Sequence, residues 1–276
     1  MMMLKCGKFE LKLDRPLVMG IVNLTPDSFS GDGTGSSRDR AIAHAHAQLD
    51  AGADILDLGA ESSRPGALPT SLDEELDRLL PVLEALQGCP VPISVDTYKP
   101  AVMRSALAAG ASMINDIFAL RMPGAVEAIA DSNCAVCLMH MQGQPLTMQK
   151  APEYGDVLAE VCSFLTERVA DLASKGVARE RLLLDPGFGF GKTLDHNLQL
   201  LAGLNQLAID GLPLLAGLSR KSMLGQITGR SVDNREFASV AAAMLALSHG
   251  AKVLRVHDVA ATRDAVAVWE AYRAVQ

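Results

Sequence analysis

Ionisable and amide side chains recur at one kind of place in this 276-residue sequence, the end of a short apolar run. Asn23 closes LVMGIVN, Asp96 closes VPISVD, Asn115 and Asp116 close SMIND, His140 closes AVCLMH, and Asp185 closes RLLLD. The pattern continues in Glu61-Ser62-Ser63-Arg64, in Ser219-Arg220-Lys221, and in Arg255 and His257 of KVLRVH. Carboxylates and amide oxygens accept from N–H-rich groups, whereas Arg, Lys and His donate to anions. Arg255 and His257 are two residues apart, so strand alternation turns both to one side. A guanidinium fork beside an imidazole suits a phosphate or pyrophosphate, with Asn23 as a neighbour when the last strand closes on the first. Any single strand must leave a core through polar residues, but eight such endings in functional residue types point to one shared site.

The elements that carry these residues alternate regularly. Strand-length apolar runs at 17–23, 53–59, 91–96, 112–116, 135–140, 181–185, 213–219 and 252–257 are separated by Ala/Leu-rich stretches of helical period. Gly52, Gly110, Gly176 and Gly250 sit where such helices end, as residues able to take positive φ. Eight strands with intervening helices predict a single (β/α)8 barrel domain over residues 1–276, because an open doubly wound sheet more often has five or six. In a barrel all the strand ends meet at one mouth. The start, CGKFELKLDRP, predicts a β-hairpin at the barrel bottom. The loops TPDSFSGDGTGSS (25–37) and ESSRPGALPTS (61–71) are long enough to close over the opening.

Composition bounds the partners. Hydrophobic residues form 49% of the chain and charged residues 21%, enough for a large core. A net charge of -7 without a Lys/Arg block argues against nucleic acid or an anionic membrane surface, though not against a small basic pocket. No apolar run approaches the roughly 18 residues of a membrane span, and the charged start lacks a signal-peptide core, so a cytoplasmic location is expected. Cys6, Cys89, Cys134, Cys137 and Cys162 read as reduced thiols. Cys134 and Cys137 have metal spacing, but i and i+3 on a strand face opposite ways.

Two glycine-rich stretches carry no nucleotide signature. DPGFGFGKT (185–193) has Pro186 where a Walker loop requires Gly, and GDGTGS and GFGFGK are one residue short of G-x-G-x-x-G. His44, His46 and His196 fall in helices as surface or packing residues.

Seven blocks in order carry a resemblance to a known family: MGIVNLTPDSFS, GAESSRPGA, SVDT, INDI, DPGFGFGK, GLSRKSMLG and RVHDV. From about Pro16 to its end the chain resembles the dihydropteroate synthases, transferases of folate biosynthesis and targets of sulfonamides. The resemblance implies condensation of 6-hydroxymethyl-7,8-dihydropterin pyrophosphate with p-aminobenzoate, by a process resembling SN1. It implies pterin binding by Asp96, Asn115, Asp185, Lys221 and Arg255, with Asp96, Lys221 and Arg255 catalytic. Asn23, Arg255 and His257 would take the pyrophosphate, with Asn23 also a ligand of Mg²⁺. The p-aminobenzoate pocket would use Ser63, Arg64, Pro65, Phe190, Lys221 and Ser222.

Many family members carry Thr in place of Ser63, and the first loop reads SFSGDGTG where SFSDGG is usual, which leaves Asp32 without a role. The resemblance also implies small-molecule partners and a homodimer, for which FASVAAAMLAL is a candidate contact. A pterin-dependent methyltransferase domain shares the carboxylates but lacks the TPDSFS, SSRPGA, SRKS and RVHD blocks. A non-catalytic pterin-binding barrel would have lost Asn23, Asp96, Lys221 or Arg255, and none is lost.

Overall fold

The computed structural model describes residues 2–25, 37–62 and 66–275. Most of the first loop, and Ser63, Arg64 and Pro65 of the second, fall outside them. β1 (Met3–Cys6) and β2 (Phe9–Lys12) form the expected antiparallel hairpin. The βα units follow: β3 (Leu17–Asn23) and α1 (Ser37–Asp50), β4 (Ile55–Gly59) and α2 (Leu72–Ala85), β5 (Ile93–Asp96) and α3 (Pro100–Ala108). Next come β6 (Met113–Asp116) and α4 (Ala125–Ala130), β7 (Ala135–Met139) and α5 (Val157–Ser174), β8 (Leu182–Asp185) and α6 (Leu194–Ala202). β9 (Leu215–Ala216) leads into α7 (Ser222–Thr228) and α8 (Glu236–Ser248), and β10 (Val253–Val256) into α9 (Val259–Arg273).

Parallel pairing runs in the order β8-β7-β6-β5-β4-β3-β10-β9. A parallel bridge between Leu184 and Leu214 joins the two ends, with Leu184 N–H donating to Pro213 O at 2.9 Å, and closes the sheet into the (β/α)8 barrel. β9 is shorter than the expected 213–219 run. Pro213 has no N–H for a ladder, and past Ala216 the chain turns, with Lys221 N–H donating to Leu218 O.

Helix α5 shows how sequence becomes element. Val157, Val161, Leu165, Val169 and Leu172 are buried, a stripe of helical period along one face. The carboxylate of Asp156 accepts from Leu158 N–H and Ala159 N–H, each at 3.0 Å, and satisfies donors that the first turn leaves open. The expected terminal glycines hold positive φ: 91° at Gly52, 103° at Gly110, 81° at Gly176 and 98° at Gly250.

The barrel interior is layered. Met19, Ile55, Met113, Cys137, Leu183, Leu215 and Val253 form an apolar floor, packed from below by Leu4, Cys6 and Leu13 of the hairpin segment. Side chains two residues further along a strand face the same way. From Ile55 that step reaches Asp57, from Met113 Asn115, from Leu183 Asp185 and from Val253 Arg255. Apolar floor therefore gives way to polar mouth within one pleat. The opposite strand faces, such as Val18, Leu56, Ile114 and Leu254, pack under the helices. All five cysteines are free thiols, with Cys137 in the floor and Cys134 on the outer side.

Leu4 is fully buried against this floor. Leu4→Ala should cost about 2–5 kcal/mol of unfolding free energy in urea titration, the usual range for a buried leucine that leaves a cavity. A loss of only a few tenths would show that the hairpin does not plug the barrel.

Candidate active site

Arg255 stands at the centre of the mouth. Its Nε donates to Asp57 Oδ2 at 2.6 Å and an Nη to Asp96 Oδ2 at 2.8 Å. Asp57 Oδ2 also accepts from Asn115 Nδ2 at 3.3 Å, so groups from β4, β5, β6 and β10 meet around one guanidinium. Burial lowers the affinity of that guanidinium for its proton, but Asp57 and Asp96 reverse this and leave it firmly charged. Asp96 is pushed up to about 7, first by burial and then by the like charges of Asp57 and Asp116, against the pull of Arg255. The sequence spacing offered Arg255 to an anion, whereas the structure engages its fork on two carboxylates. His257 lies one residue past β10, with Nδ1 3.0 Å from Ser219 Oγ. Burial, then the charges of Arg255 and Arg220, holds His257 down to about 3, so it stays neutral near pH 7. Asn23 ends β3 opposite Gly59, one strand away from both.

On the other side of the mouth Asp185 ends β8, with Oδ1 accepting Gly187 N–H at 2.7 Å. Burial raises its carboxyl, partly offset by that N–H and by Lys221. The following chain turns through Gly187, Gly189 and Gly191 at φ of 69°, 78° and 61°. A Cβ on Gly187 would lie 1.9 Å from His140 O, which no side chain tolerates. Lys192 points inward from this loop. Its Nζ donates to Gly187 O at 3.0 Å and Phe190 O at 3.1 Å and lies 2.9 Å from His140 Nδ1. Burial lowers Lys192 to about 7, and burial together with the Lys192 charge lowers His140 to about 3. Nδ1 of neutral His140 is thus placed to accept an N–H from Lys192 Nζ. Asn197 adds a second fastening, its Oδ1 accepting Gly189 N–H at 2.7 Å. The loop so held presents Phe190, with Lys221 Nζ 4.1 Å from its ring centre, and Ser222 follows at the start of α7.

The second loop is fastened at both ends. Lys99 Nζ bonds Glu61, Thr70 O at 2.7 Å and Glu75 Oε2 at 2.5 Å, and Tyr98 Oη donates to Glu61 Oε1 at 2.9 Å. A cleft of about 220 Å³ opens beside this cluster, with Asp96 on its wall and Tyr98, Phe118, Met122 and Leu146 as apolar lining. Asp116 faces away from ligand chemistry. Its two oxygens accept Phe118 and Leu120 N–H at 2.7 Å and cap a turn in which Ala119 and Leu120 hold positive φ.

Comparison with known proteins places this geometry. Residues 19–257 match the model of the pterin-binding enzymes, described as "Pterin binding enzyme". A dihydropteroate synthase of Escherichia coli K12 is 52% identical over 263 residues, spanning 95% of this chain and 93% of that protein. The Xanthomonas albilineans dihydropteroate synthase solved with 4-aminobenzoic acid is 53% identical, with a TM-score of 0.94 and 99% of each chain covered. The chain belongs to the dihydropteroate synthase family. The Burkholderia cenocepacia dihydropteroate synthase solved with 7,8-dihydropteroate is also 53% identical, with a TM-score of 0.92 over 99% of this chain and 97% of that one.

Within this dihydropteroate synthase fold, Asp96, Asn115, Asp185, Lys221 and Arg255 converge on the mouth, with Phe190 and Ser222 beside Lys221. Glu61 stood among the polar strand ends, but Asp57, Lys192 and the Glu75 and Lys99 that share its cluster were not singled out from sequence. Asp57 did leave a signal, as the one charge inside the apolar run ILDLG. Lys192 left none, because a lysine after a glycine-rich loop is as often solvent-facing.

Gly187→Ala should dismantle the loop by striking His140 O, with activity lost at least tenfold and the thermal midpoint lowered; near-native values for both would show that the loop accommodates a Cβ. Depressed histidines also fix a pH response. Stability from neutral His140 and His257 is present above their unfolded value of 6.5 and is lost as pH falls toward about 3. Melting temperature should accordingly drop between pH 6.5 and 4, less steeply in His140→Asn, and equal slopes would discount His140.

Proposed function

We propose that this mouth joins 6-hydroxymethyl-7,8-dihydropterin pyrophosphate to p-aminobenzoate, giving 7,8-dihydropteroate and releasing pyrophosphate. The observation that carries the reading is the convergence of three acceptors, Asp96, Asn115 and Asp185, with two cations, Lys221 and Arg255, in one largely buried pocket of a dihydropteroate synthase barrel. The aminopyrimidine edge of a pterin is rich in N–H donors, and its carbonyl is an acceptor. Asp185 and Asn115 suit the donors and Lys221 the carbonyl. A desolvated site penalises any analogue that leaves these groups unpaired. The planar guanidinium of Arg255, pinned edge-on by two carboxylates, offers its face to a flat ring.

In the chemical step the bond from the exocyclic methylene carbon to the leaving oxygen breaks, and its electrons depart with pyrophosphate. The cation left on the pterin is stabilised electrostatically by the Asp96 carboxylate. The amine of p-aminobenzoate then forms the C–N bond and gives up a proton to water. Neutral His257, with Ser219 on its Nδ1, has its other ring nitrogen for the departing anion, alongside Arg255. Phe190, Lys221 and Ser222 suit the ring and carboxylate of p-aminobenzoate, with Ser63, Arg64 and Pro65 as its remaining contacts.

Asn23 fits Mg²⁺ as a neutral, hard oxygen donor. Among the described residues no three His, Cys, Asp or Glu side chains cluster to hold a metal. A cation arriving with the pyrophosphate and retaining waters suits that sparse donor set. It would neutralise charge on the leaving group.

We also propose a homodimer through the outer face of α8 and α9. Phe237 and Leu245 on α8 and Val268 and Tyr272 on α9 are exposed, Phe237 by 87%. Phe237→Glu combined with Leu245→Glu should yield a monomer in sedimentation equilibrium; an unchanged dimer would move the interface elsewhere.

Pure protein given both substrates should release pyrophosphate only with Mg²⁺, and release without the metal, or none, would sink the reading. Lys221→Ala or Arg255→Ala should lower kcat/KM at least tenfold, about 1.4 kcal/mol of transition-state stabilisation. Asp185→Ala should weaken pterin binding in calorimetry. Because Asp96 acts as the carboxylate and titrates at about 7, kcat/KM for the pterin should climb as pH rises through 7. A profile flat from pH 5.5 to 8 would remove Asp96 from the step.

A further inference from the structure

Asp57 is fully buried in the middle of β4, between the apolar floor and the mouth. One of its oxygens does two things at once. Oδ2 accepts from Arg255 Nε at 2.6 Å and from Asn115 Nδ2 at 3.3 Å, while Oδ1 is buried with no hydrogen-bond partner among the described residues. All contact from this carboxylate is therefore directed at two side chains that face the pterin in the reading above. Strand register supports the arrangement. Ile21 and Ser94 are the cross-strand partners of Asp57, and neither supplies a charge to it. Arg255 comes from two strands away, reaching across the barrel interior to meet it.

Stability alone is a weak reason for such a group. Burying a guanidinium between carboxylates costs desolvation that the pairing only partly returns, and well-packed apolar residues of similar volume often hold a core as well. Geometry supplies a better reason. A guanidinium has one Nε–H, and fixing it at Asp57 sets the plane of the whole fork, because the group is rigid and flat. The remaining edge then meets Asp96 at 2.8 Å.

We infer that Asp57 is a positioning residue of the reaction, acting through Arg255 rather than touching substrate: it fixes the guanidinium plane over the pterin site and keeps Arg255 in register with Asp96. The inference rests on the proposed roles of Arg255 and Asp96, and a double-mutant cycle separates the two.

The four proteins are the native chain, Asp57→Asn, Arg255→Met and the double variant, assayed by pyrophosphate release with both substrates and Mg²⁺. Asp57→Asn should lower kcat/KM for the pterin about tenfold while KM for p-aminobenzoate stays within about twofold, since that substrate does not meet Arg255's plane. In the Arg255→Met background the same substitution should change the rate less than about twofold, because there is no guanidinium left to orient. An equal loss in both backgrounds, or native kinetics in Asp57→Asn, overturns the inference and leaves the role of Arg255 standing. Native kinetics in Arg255→Met overturns the underlying reading and the inference with it. Should Asp57→Asn fail to fold, Asp57→Glu, which keeps a counter-charge for Arg255, takes its place in the cycle under the same criteria.

Discussion

A guanidinium buried between two carboxylates sets the terms for the rest of this molecule. Asp57 has no exposed surface and Asp96 and Arg255 keep only a small part of theirs, so each depends on the others being where the barrel puts them. Removing one partner would strand a charge in a poor solvent. The eight-stranded closure is what makes the arrangement possible, since only a sheet curved back on itself brings side chains of β4, β5, β6 and β10 within one hydrogen bond of a common point. The apolar floor beneath, sealed by the hairpin, keeps water from entering from below and weakening those contacts.

The same economy of water shapes the other half of the mouth. Loop 186–192 could not follow its path with ordinary residues, because the backbone passes against His140 and Gln142 carbonyls and turns repeatedly through positive φ. Such a loop has little internal structure of its own. Lys192 supplies it from within, gathering the carbonyls of Gly187 and Phe190, and it does so beside a histidine that burial has made neutral. Phe190 thus stands on a rigid support although it lies outside regular elements, with Lys221 Nζ 4.1 Å from its ring centre.

Burial raises Asp96 and Asp185 while it lowers His140, His257 and Lys192, so charge throughout the mouth is held under strain by desolvation. A cationic pterin intermediate would relieve part of it, being a positive charge placed among unshielded carboxylates. Under the proposed mechanism the site would favour the charge-separated state over the bound pyrophosphate ester.

The sequence by itself determined the architecture and the location of the chemistry. Alternating apolar runs and helical stretches specify eight βα units, and a period of two specifies that Asn115, Asp185 and Arg255 share the inner face with the floor residues below them. The hairpin, the glycine caps and the opposed faces of Cys134 and Cys137 were legible for the same reason: each follows from local geometry. What only the tertiary structure decided is which inward residues meet. Periodicity places Asp57 and Arg255 inside the barrel, but 198 positions separate them, and no local rule says that Nε of one finds Oδ2 of the other. Lys192 was illegible for a related reason. A lysine's long stem reaches solvent or core with equal ease, and the choice was made by carbonyls that the folded loop gathers and by His140 from a strand 52 residues away. Local periodicity fixes the direction of a side chain, and closure of the barrel fixes its partner.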